Sequence, residues 1–198
     1  MGFIKIGVFN GRTWGHTHGD GPVKPLPLLT ARLKNFLPIW NNWGTQFGFT
    51  YIRYSVDEDK TNVDNTFGGD FTIKWSRGRY RSFILTYELW YRTEERKESA
   101  LAKKFGWYSY AMYQFHQNWY IGARIDYFAV LNFHAEALDK KINQISQGQS
   151  IWITYKPSEF SYFRLTGERQ DYYEADKDNY VAYIQADFII GFHPAHKY

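Results

Sequence analysis

Alternation of apolar and polar residues with a period of two is the feature that most constrains this chain. The clearest case is FGGDFTIKW, residues 67–75, in which Phe71 and Ile73 alternate with Asp70 and Lys74. Successive side chains of a β-strand point to opposite faces of its sheet, so this pattern predicts a strand with one apolar face and one polar face. Segments of this kind recur along the whole chain and predict an all-β fold.

About ten strands are predicted in this way. They are Gly2–Phe9, Leu29–Phe36, Trp43–Tyr54, Phe67–Trp75, Arg81–Tyr91, Gly106–Phe115, Trp119–Tyr127, Gln149–Tyr155, Tyr162–Glu168 and Tyr180–Phe192. In Gly106–Phe115 and Gln149–Tyr155 both sides carry aromatic residues, so the alternation does not decide which face of these two strands is the apolar one. In Arg81–Tyr91, Ile84 and Trp90 fall on the otherwise polar side.

The predicted connections alternate between short and long. The short ones, Asn41–Asn42, Ser76–Arg79, His116–Asn118 and Lys156–Glu159, contain residues typical of tight hairpins. The long ones are Asn10–Pro27, Asp57–Asn65, Thr93–Lys104, Ala129–Gly148 and Asp171–Asp178. Only Leu131–Ile145 is compatible with a short helix, inside a loop. This alternation predicts an antiparallel up-and-down sheet with every tight turn at one end.

The aromatic residues indicate whether such a sheet belongs to a membrane protein or to a soluble one. The chain has 8 Trp, 17 Tyr and 16 Phe, more than its 32 Leu, Ile and Val residues together. Predicted strands of about 9–12 residues with aromatic residues near both ends are typical of outer-membrane β-barrels. We therefore predict an antiparallel up-and-down transmembrane β-barrel. A soluble barrel or sandwich, with its apolar face turned inward, is the alternative.

Several classes of protein are excluded or disfavoured. The absence of cysteine excludes disulfide scaffolds and thiolate metal sites. A net charge of +4, dispersed along the chain, gives no reason to expect nucleic acid as a partner. No apolar run is long enough for a transmembrane helix, and the first residues do not have the pattern of a signal peptide. No Gly-x-Ser-x-Gly motif, phosphate loop or dinucleotide fingerprint occurs, so we expect neither an enzyme nor a cofactor.

The order of several segments resembles one family. RLKNF (Arg32–Phe36), FGGDFTIKW (Phe67–Trp75), NWYIGARIDY (Asn118–Tyr127), YKPSEF (Tyr155–Phe160) and the C-terminal YVAYIQADFIIGFHPAHKY follow one another along nearly the whole chain. Together they resemble the C-terminal part of an outer-membrane porin-like family of Gram-negative bacteria. That family is similar to phosphate-selective porins and to proteins labelled zinc-regulated outer-membrane receptors.

The resemblance implies a localisation and a domain organisation. Residues 1–198 would be an outer-membrane β-barrel segment, the C-terminal part of a longer barrel, with the C-terminus in the periplasm. Family members carry a signal peptide and further strands that this sequence lacks, and no plug domain of energy-coupled receptors corresponds to any part of it. The expected partners are membrane lipid, lipopolysaccharide and small hydrophilic solutes or ions, and a homo-oligomer is left open.

Charged residues on the polar sides of the predicted strands are the candidate pore lining. They are Lys5, Arg32, Lys34, Asp70, Lys74, Glu88, Arg124, Asp126, Arg164 and Glu168. Such residues can set the field that selects ions and small solutes. Alternatively they simply pair with one another in a wet lumen, since six basic and four acidic residues give only a slight bias.

A metal site is the remaining candidate. His16 and His18, followed by Asp20, place two imidazoles and a carboxylate in one predicted loop, and zinc accepts such ligands. Histidines in a glycine-rich loop often bind nothing. The function predicted from the sequence is therefore a porin-like channel or receptor barrel for small hydrophilic solutes or ions. A structural or adhesin-like barrel acting through its long loops, and a soluble β-sandwich binding module, are the alternatives.

Overall fold

The period-two alternation is realised as ten antiparallel β-strands. The computed structural model describes residues 2–9, 27–55, 63–95, 102–135, 140–173 and 178–189. Within these ranges the chain forms strands and turns only, which confirms the predicted all-β fold. The strands are β1 (Gly2–Phe9), β2 (Leu28–Trp40), β3 (Trp43–Ser55), β4 (Val63–Arg77), β5 (Arg81–Glu95), β6 (Ala102–His116), β7 (Trp119–Ala135), β8 (Lys140–Ser158), β9 (Ser161–Asp171) and β10 (Asn179–Phe188).

All ten strands belong to one sheet, in the order in which they follow along the chain. Each strand pairs antiparallel with its sequence neighbour, which confirms the predicted up-and-down connectivity. Among the described residues, β1 and β10 do not pair with each other, so the sheet is open and has two free edges. No helix in the described part of the chain is long and apolar enough to cross a membrane.

Two of the predicted long connections are wrong. Ala129–Gly148 is mostly strand, because β7 continues to Ala135 and β8 already begins at Lys140. The short helix that the sequence allowed within Leu131–Ile145 is not formed in residues 131–135 and 140–145, which are strand, with Phe133 paired to Ile142 beside a β-bulge. Thr93–Lys104 shortens likewise, with Glu94 paired to Ala102. Hydrogen bonding to a neighbouring strand here overrides a local sequence without alternation.

The tight turns lie at one end of the sheet, as predicted. They comprise Asn41–Asn42 and residues 78–80, 117–118 and 159–160. Gly78 has a φ of 64°, a conformation that glycine adopts at no steric cost. Register shifts mark β-bulges beside three of these turns, one of them between Pro38 and Trp40, where proline lacks the N–H that a regular ladder would use.

The sheet forms a single layer with almost no core. Among the described residues, Val63, Ala129 and Val130 are the only buried apolar residues. The accessible surface of the chain is 14567 Å², whereas a compact monomer of 23.6 kDa is expected to expose about 9,800 Å². Large apolar side chains such as Phe49 and Ile151 remain more than half exposed. The fold therefore needs something further to cover its apolar face.

The register defines two faces. One, here called the concave face, carries Arg32, Asp70, Glu88, Arg124 and Glu168 together with the residues paired beside them. A concavity of about 840 Å³ lies against this face from β5 to β10, so the sheet curves around it. The opposite face, here called the convex face, carries the alternate residues.

Candidate functional site

The register places all ten predicted pore-lining residues on the concave face. Lys5 pairs with Arg32, which pairs with Thr50, and the same row continues to Gly68 and Trp90. In the next row, Lys34 pairs with Gly48, and the row continues through Asp70, Glu88, Tyr108 and Asp126. Lys74, Arg124, Arg164 and Glu168 lie on the same face. Their action on a passing solute stays a prediction.

Arg32 and Asp70 form an ion pair that bridges β2 and β4 across β3. Arg32 Nη2 donates to Asp70 Oδ1 at 2.6 Å, and Nη1 donates to Thr50 Oγ1 at 2.6 Å. The carboxylate of Asp70 fits because Gly48 lies beneath it; a Cβ at Gly48 would come within 2.3 Å of it. These groups are fixed by each other rather than free to follow a solute.

Glu88 is the acceptor of a second group. Trp90 Nε1 donates to Glu88 Oε1 at 2.6 Å, and Tyr108 Oη donates to Glu88 Oε2 at 2.9 Å. Trp90, which breaks the alternation of its strand, lies over Gly68, where a Cβ would meet its ring at 2.6 Å. A large ring therefore lies flat on the polar face because its neighbour has no side chain.

Arg124 joins the charged groups to an aromatic pair. Its guanidinium donates twice to Asp126 Oδ1, at 2.8 and 2.5 Å, and lies 4.6 Å above the Tyr108 ring. Tyr108 and Tyr110 are stacked, with ring centroids 6.5 Å apart and planes 12° from parallel. The arginine is thus held by a carboxylate and by a ring face at once.

Arg164 on β9 is also held by a polar partner and aromatic rings. Its Nε donates to Thr154 Oγ1 at 2.9 Å, and its guanidinium lies about 5 Å from two rings, 5.5 Å from Trp152 and 5.3 Å from Tyr162. Trp152 lies over Gly122, where a Cβ would meet the indole at 2.3 Å. The structure thus decides the faces of β6 and β8, which the alternation did not. Tyr108 and Tyr110 of β6 and Trp152 of β8 lie on the concave face.

The three predicted lysines have no carboxylate partner among the described residues, and neither has Arg164 on β9, which is held by a hydroxyl and two rings. Lys34 and Lys74 have neither an ion pair nor a hydrogen bond in the part of the chain that the structure describes. Lys5 lies 5.3 Å from the ring of Phe3. The three lysines belong to β1–β4, whereas Arg164 lies on β9. Positive charge without a carboxylate partner is therefore present on both the first and the last strands of the concave face.

A further charged cluster lies at the end of the sheet that carries the long connections, and none of its residues was among the predicted lining residues. Arg92 Nη2 donates to Asp64 Oδ2 at 2.5 Å and to Tyr54 Oη at 2.7 Å, and Lys104 Nζ donates to Glu94 Oε1 at 2.7 Å. Asp64 is fully buried. The cluster ties β3, β4, β5 and β6 together at this end. Sequence reasoning placed Asp64, Glu94 and Lys104 in loops, and no local signal distinguishes them.

Two rows of aromatic residues cross the convex face. The row near the tight turns contains the paired residues Trp43, Trp75, Phe83 and Tyr113, and the other contains the paired residues Tyr51, Phe67, Tyr91 and Phe105. On β7, Trp119 and Tyr127 lie two residues nearer the tight turns than the residues that pair with these rows, Ile121 and Ala129. On each of β3–β7 these two aromatic residues are eight residues apart. Eight residues span about 27 Å along a strand, or about 21 Å along the axis of a barrel whose strands tilt by about 40°.

The convex face between the two rows carries no charge on strands β3–β7. On β3–β7, which are described throughout this interval, the residues between the rows are apolar, Gly, Ser or Thr apart from Tyr87 and Trp107. We call this interval the apolar band. On β8 and β9 the convex face becomes polar towards the long connections, with Gln149 and Arg169 paired. Arg169 Nε donates to Asp178 Oδ2 at 2.7 Å.

The predicted metal ligands His16 and His18, together with Asp20, lie outside the described residues, and the metal site stays a prediction. Within the described ranges, no three His, Asp or Glu side chains come together in a way that could hold a metal ion. The described residues therefore offer a polar, partly aromatic concave surface and an apolar convex one. Comparison of the chain with protein-family models, with curated proteins and with solved structures gave no match.

Proposed function

We propose that this chain forms part of the wall of an outer-membrane β-barrel through which small hydrophilic solutes or ions pass. The apolar band with its two aromatic rows is the observation that carries the proposal. An outward-facing band of about 25 Å flanked by aromatic residues is what lipid requires of a barrel wall. Backbone groups in such a wall are satisfied by strand pairing, since the hydrocarbon offers no partner.

The open edges and the missing core support the same proposal. A single sheet with an uncovered apolar face is poorly stabilised in water, because burial of apolar surface is the dominant favourable term in folding. The unpaired edges of β1 and β10 call for further strands, as they would in the C-terminal part of a longer barrel. Lipid and lipopolysaccharide would cover the convex face, and strand pairing would close the edges.

The concave face supports a passage rather than chemistry. Its ion pairs and hydrogen bonds fix most of the charged groups in place, and among the described residues they leave polar atoms along the surface without forming a nucleophile–base pair. Neither an enzymatic activity nor a cofactor is part of the proposal. A lumen of this composition would pass small hydrophilic solutes with weak charge preference, biased by Lys34 and Lys74.

Lipid contact tests the wall. We would introduce single cysteines at Phe71, in the middle of the apolar band, and at Thr72, the adjacent residue on the concave face, and attach nitroxide labels. The chain has no native cysteine, so each label reports one site. In vesicles, oxygen should relax the label at residue 71, and a water-soluble nickel complex the label at residue 72. If both labels report water, or both a dry protein interior, the chain is not a barrel wall.

Conductance tests the passage. Reconstituted in planar bilayers with its edges closed, by the rest of the barrel or by a second copy, the chain should give discrete current steps, and these should change in cation-to-anion preference when Lys34 and Lys74 are replaced by Gln. Lipid contact without current would leave the structural or adhesin-like barrel as the better description. Solubility without detergent, with neither lipid contact nor current, would favour the soluble β-sandwich module.

Accessibility in intact cells tests orientation. β10 ends at the tight-turn end of the sheet, so a C-terminus in the periplasm places all tight turns there. A cysteine at Glu95, at the opposite end of β5, should react with an impermeant reagent from outside, whereas one at Arg79, in the turn after β4, should not. Labelling of Arg79→Cys alone would invert the proposed orientation.

A further inference from the structure

The concavity of about 840 Å³ on β5–β10 has a composition unlike that of the rest of the concave face. Aromatic rings alternate in it with ionised and hydroxyl side chains. The rings of Tyr108, Tyr110, Trp152 and Tyr183 line it, as do Arg124, Asp126, Arg164, Glu168, Ser146 and Ser150. We call this set the aromatic cleft. Its volume is within the range of about 300–1,000 Å³ typical of ligand sites.

The charges of the aromatic cleft cancel. Arg124 is ion-paired with Asp126, and the cationic Arg164 is matched in number by the anionic Glu168. An inorganic anion would find a more favourable field near Lys34 and Lys74, on strands outside the cleft. A purely apolar ligand would have to desolvate the ionised groups, which is costly. The cleft is therefore suited to a neutral ligand with many hydrogen-bonding groups.

Two polar atoms beneath the cleft are unsatisfied. Trp152 Nε1 and Thr166 Oγ1 are buried and have no hydrogen-bond partner among the described residues. The two residues are paired across β8 and β9, and both line the concavity. Thr166 is only 3% exposed. Buried polar groups are normally satisfied by protein or water, so a hydroxylated ligand or the water it orders would complete this site.

The dimensions require an extended ligand. Tyr108 on β6 and Tyr183 on β10 are separated by four strand spacings, which is about 19 Å along the sheet. Flat rings offer apolar faces, and the charged and hydroxyl groups between them offer donors and acceptors in alternation. We infer that the aromatic cleft binds a neutral oligosaccharide, whose sugar rings present apolar faces and hydroxyl edges in the same alternation. This inference deepens the proposed function by naming a solute class.

Titration calorimetry tests the inference on the full chain, folded in a detergent without a sugar headgroup. Maltohexaose is the probe and sodium phosphate the comparison. We expect binding of maltohexaose to the native chain and about tenfold weaker binding to Tyr110→Leu, because one stacking surface is lost. Tyr113→Leu removes a tyrosine from the convex face of the same strand and should change affinity by less than about twofold.

The contrary outcomes are distinct. The inference is wrong if the folded chain gives no heat with maltohexaose, if phosphate binds more tightly, or if Tyr110→Leu and Tyr113→Leu weaken binding equally. Where Tyr110→Leu does not fold, Glu168→Gln replaces it, since it keeps the shape of the cleft and weakens an acceptor. Calorimetry in micelles needs no current, so sugar binding without conductance would count against the channel alone. Conductance without sugar binding would count against the cleft alone.

Discussion

The two faces of the sheet use the same backbone and the same strands in opposite ways. On the convex face of β3–β7, aromatic and aliphatic side chains stand exposed with no charge between the two aromatic rows. On the concave face, charged side chains are fixed by partners, and large rings lie flat over glycines. Adjacent residues of one strand, such as Asp70 and Phe71, therefore meet different surroundings.

This difference shows that the environment of a face, rather than the strand itself, sets what a substitution costs. A side chain on the convex face is limited by the medium that covers the sheet. A side chain on the concave face is limited by its neighbours, because glycine positions, rings and ion pairs are fitted to one another. Substitutions of the same kind on the two faces should therefore have unequal effects, and each of the following predictions makes that comparison.

The largest effect is expected from a charge in the apolar band. Phe71→Arg places a guanidinium at the centre of the band and should lower the free energy of unfolding in lipid vesicles by about 2–4 kcal/mol. Thr72→Arg adds the same side chain one residue along, on the polar concave face, where it loses the hydrogen bond between Thr72 Oγ1 and Thr86 Oγ1 (3.2 Å) and should cost only about 1 kcal/mol. Urea unfolding followed by tryptophan fluorescence measures both. Equal losses of unfolding free energy would mean that lipid does not cover one face and water the other.

A smaller effect is expected from adding one methyl group. Gly122→Ala on the concave face forces the Trp152 indole away from the sheet, since the new Cβ would lie 2.3 Å from it. Such overpacking should cost about 1–3 kcal/mol. Gly167→Ala, on the convex face, finds no atom within 4 Å and should be neutral or stabilise by up to about 1 kcal/mol. The same unfolding assay decides, and a neutral Gly122→Ala would show that the indole moves freely.

Breaking the ion pair of the concave face should cost less again. Asp70→Asn removes the carboxylate that accepts from Arg32, whose side chain is about one-third exposed. Partly exposed pairs contribute about 0–1 kcal/mol, and we expect a loss in this range at low salt. The loss should shrink at high salt because exposed charges are screened. A loss that does not depend on salt would show that the pair acts through packing.

The smallest effect on stability is expected at the unpaired lysines. Lys74→Gln and Lys34→Gln remove charges without a partner among the described residues and should change unfolding by less than about 0.5 kcal/mol. Their effect should appear instead in reversal potentials, which should shift towards cation preference. Stability losses comparable to that of Asp70→Asn would show that both lysines are tied into the face after all.

The alternation predicted the strands well and their ends poorly. Phe67–Trp75 lies entirely within β4, because its alternation is determined by the two faces of the sheet. The extension of β7 and β8 beyond Tyr127 and Gln149 could not be read locally, since residues 131–145 carry no regular pattern there. Residues 131–135 and 140–145 are strand because β7 and β8 pair with each other, and pairing partners are not visible in a single segment.

The candidate lining was predictable as a set, while its contacts were not. Alternate residues of a strand lie on the same face, so the sequence alone was enough to group Arg124 with Asp126. Contacts across strands depend on register. The sequence gives no reason for Trp90 on a polar face, because the reason is its pairing with Gly68. The two aromatic rows are likewise recognisable only from the pairing of the strands.

The number of strands limits how the open sheet can be completed. Ten strands that alternate in direction leave β1 and β10 running opposite to each other. Direct pairing of these edges would therefore be antiparallel, and any inserted set of strands that keeps every pairing antiparallel must contain an even number. Two such sheets joined at both edges would make a ring of about twenty strands by the same rule of even numbers. A closing piece with an odd number of strands would force one parallel junction.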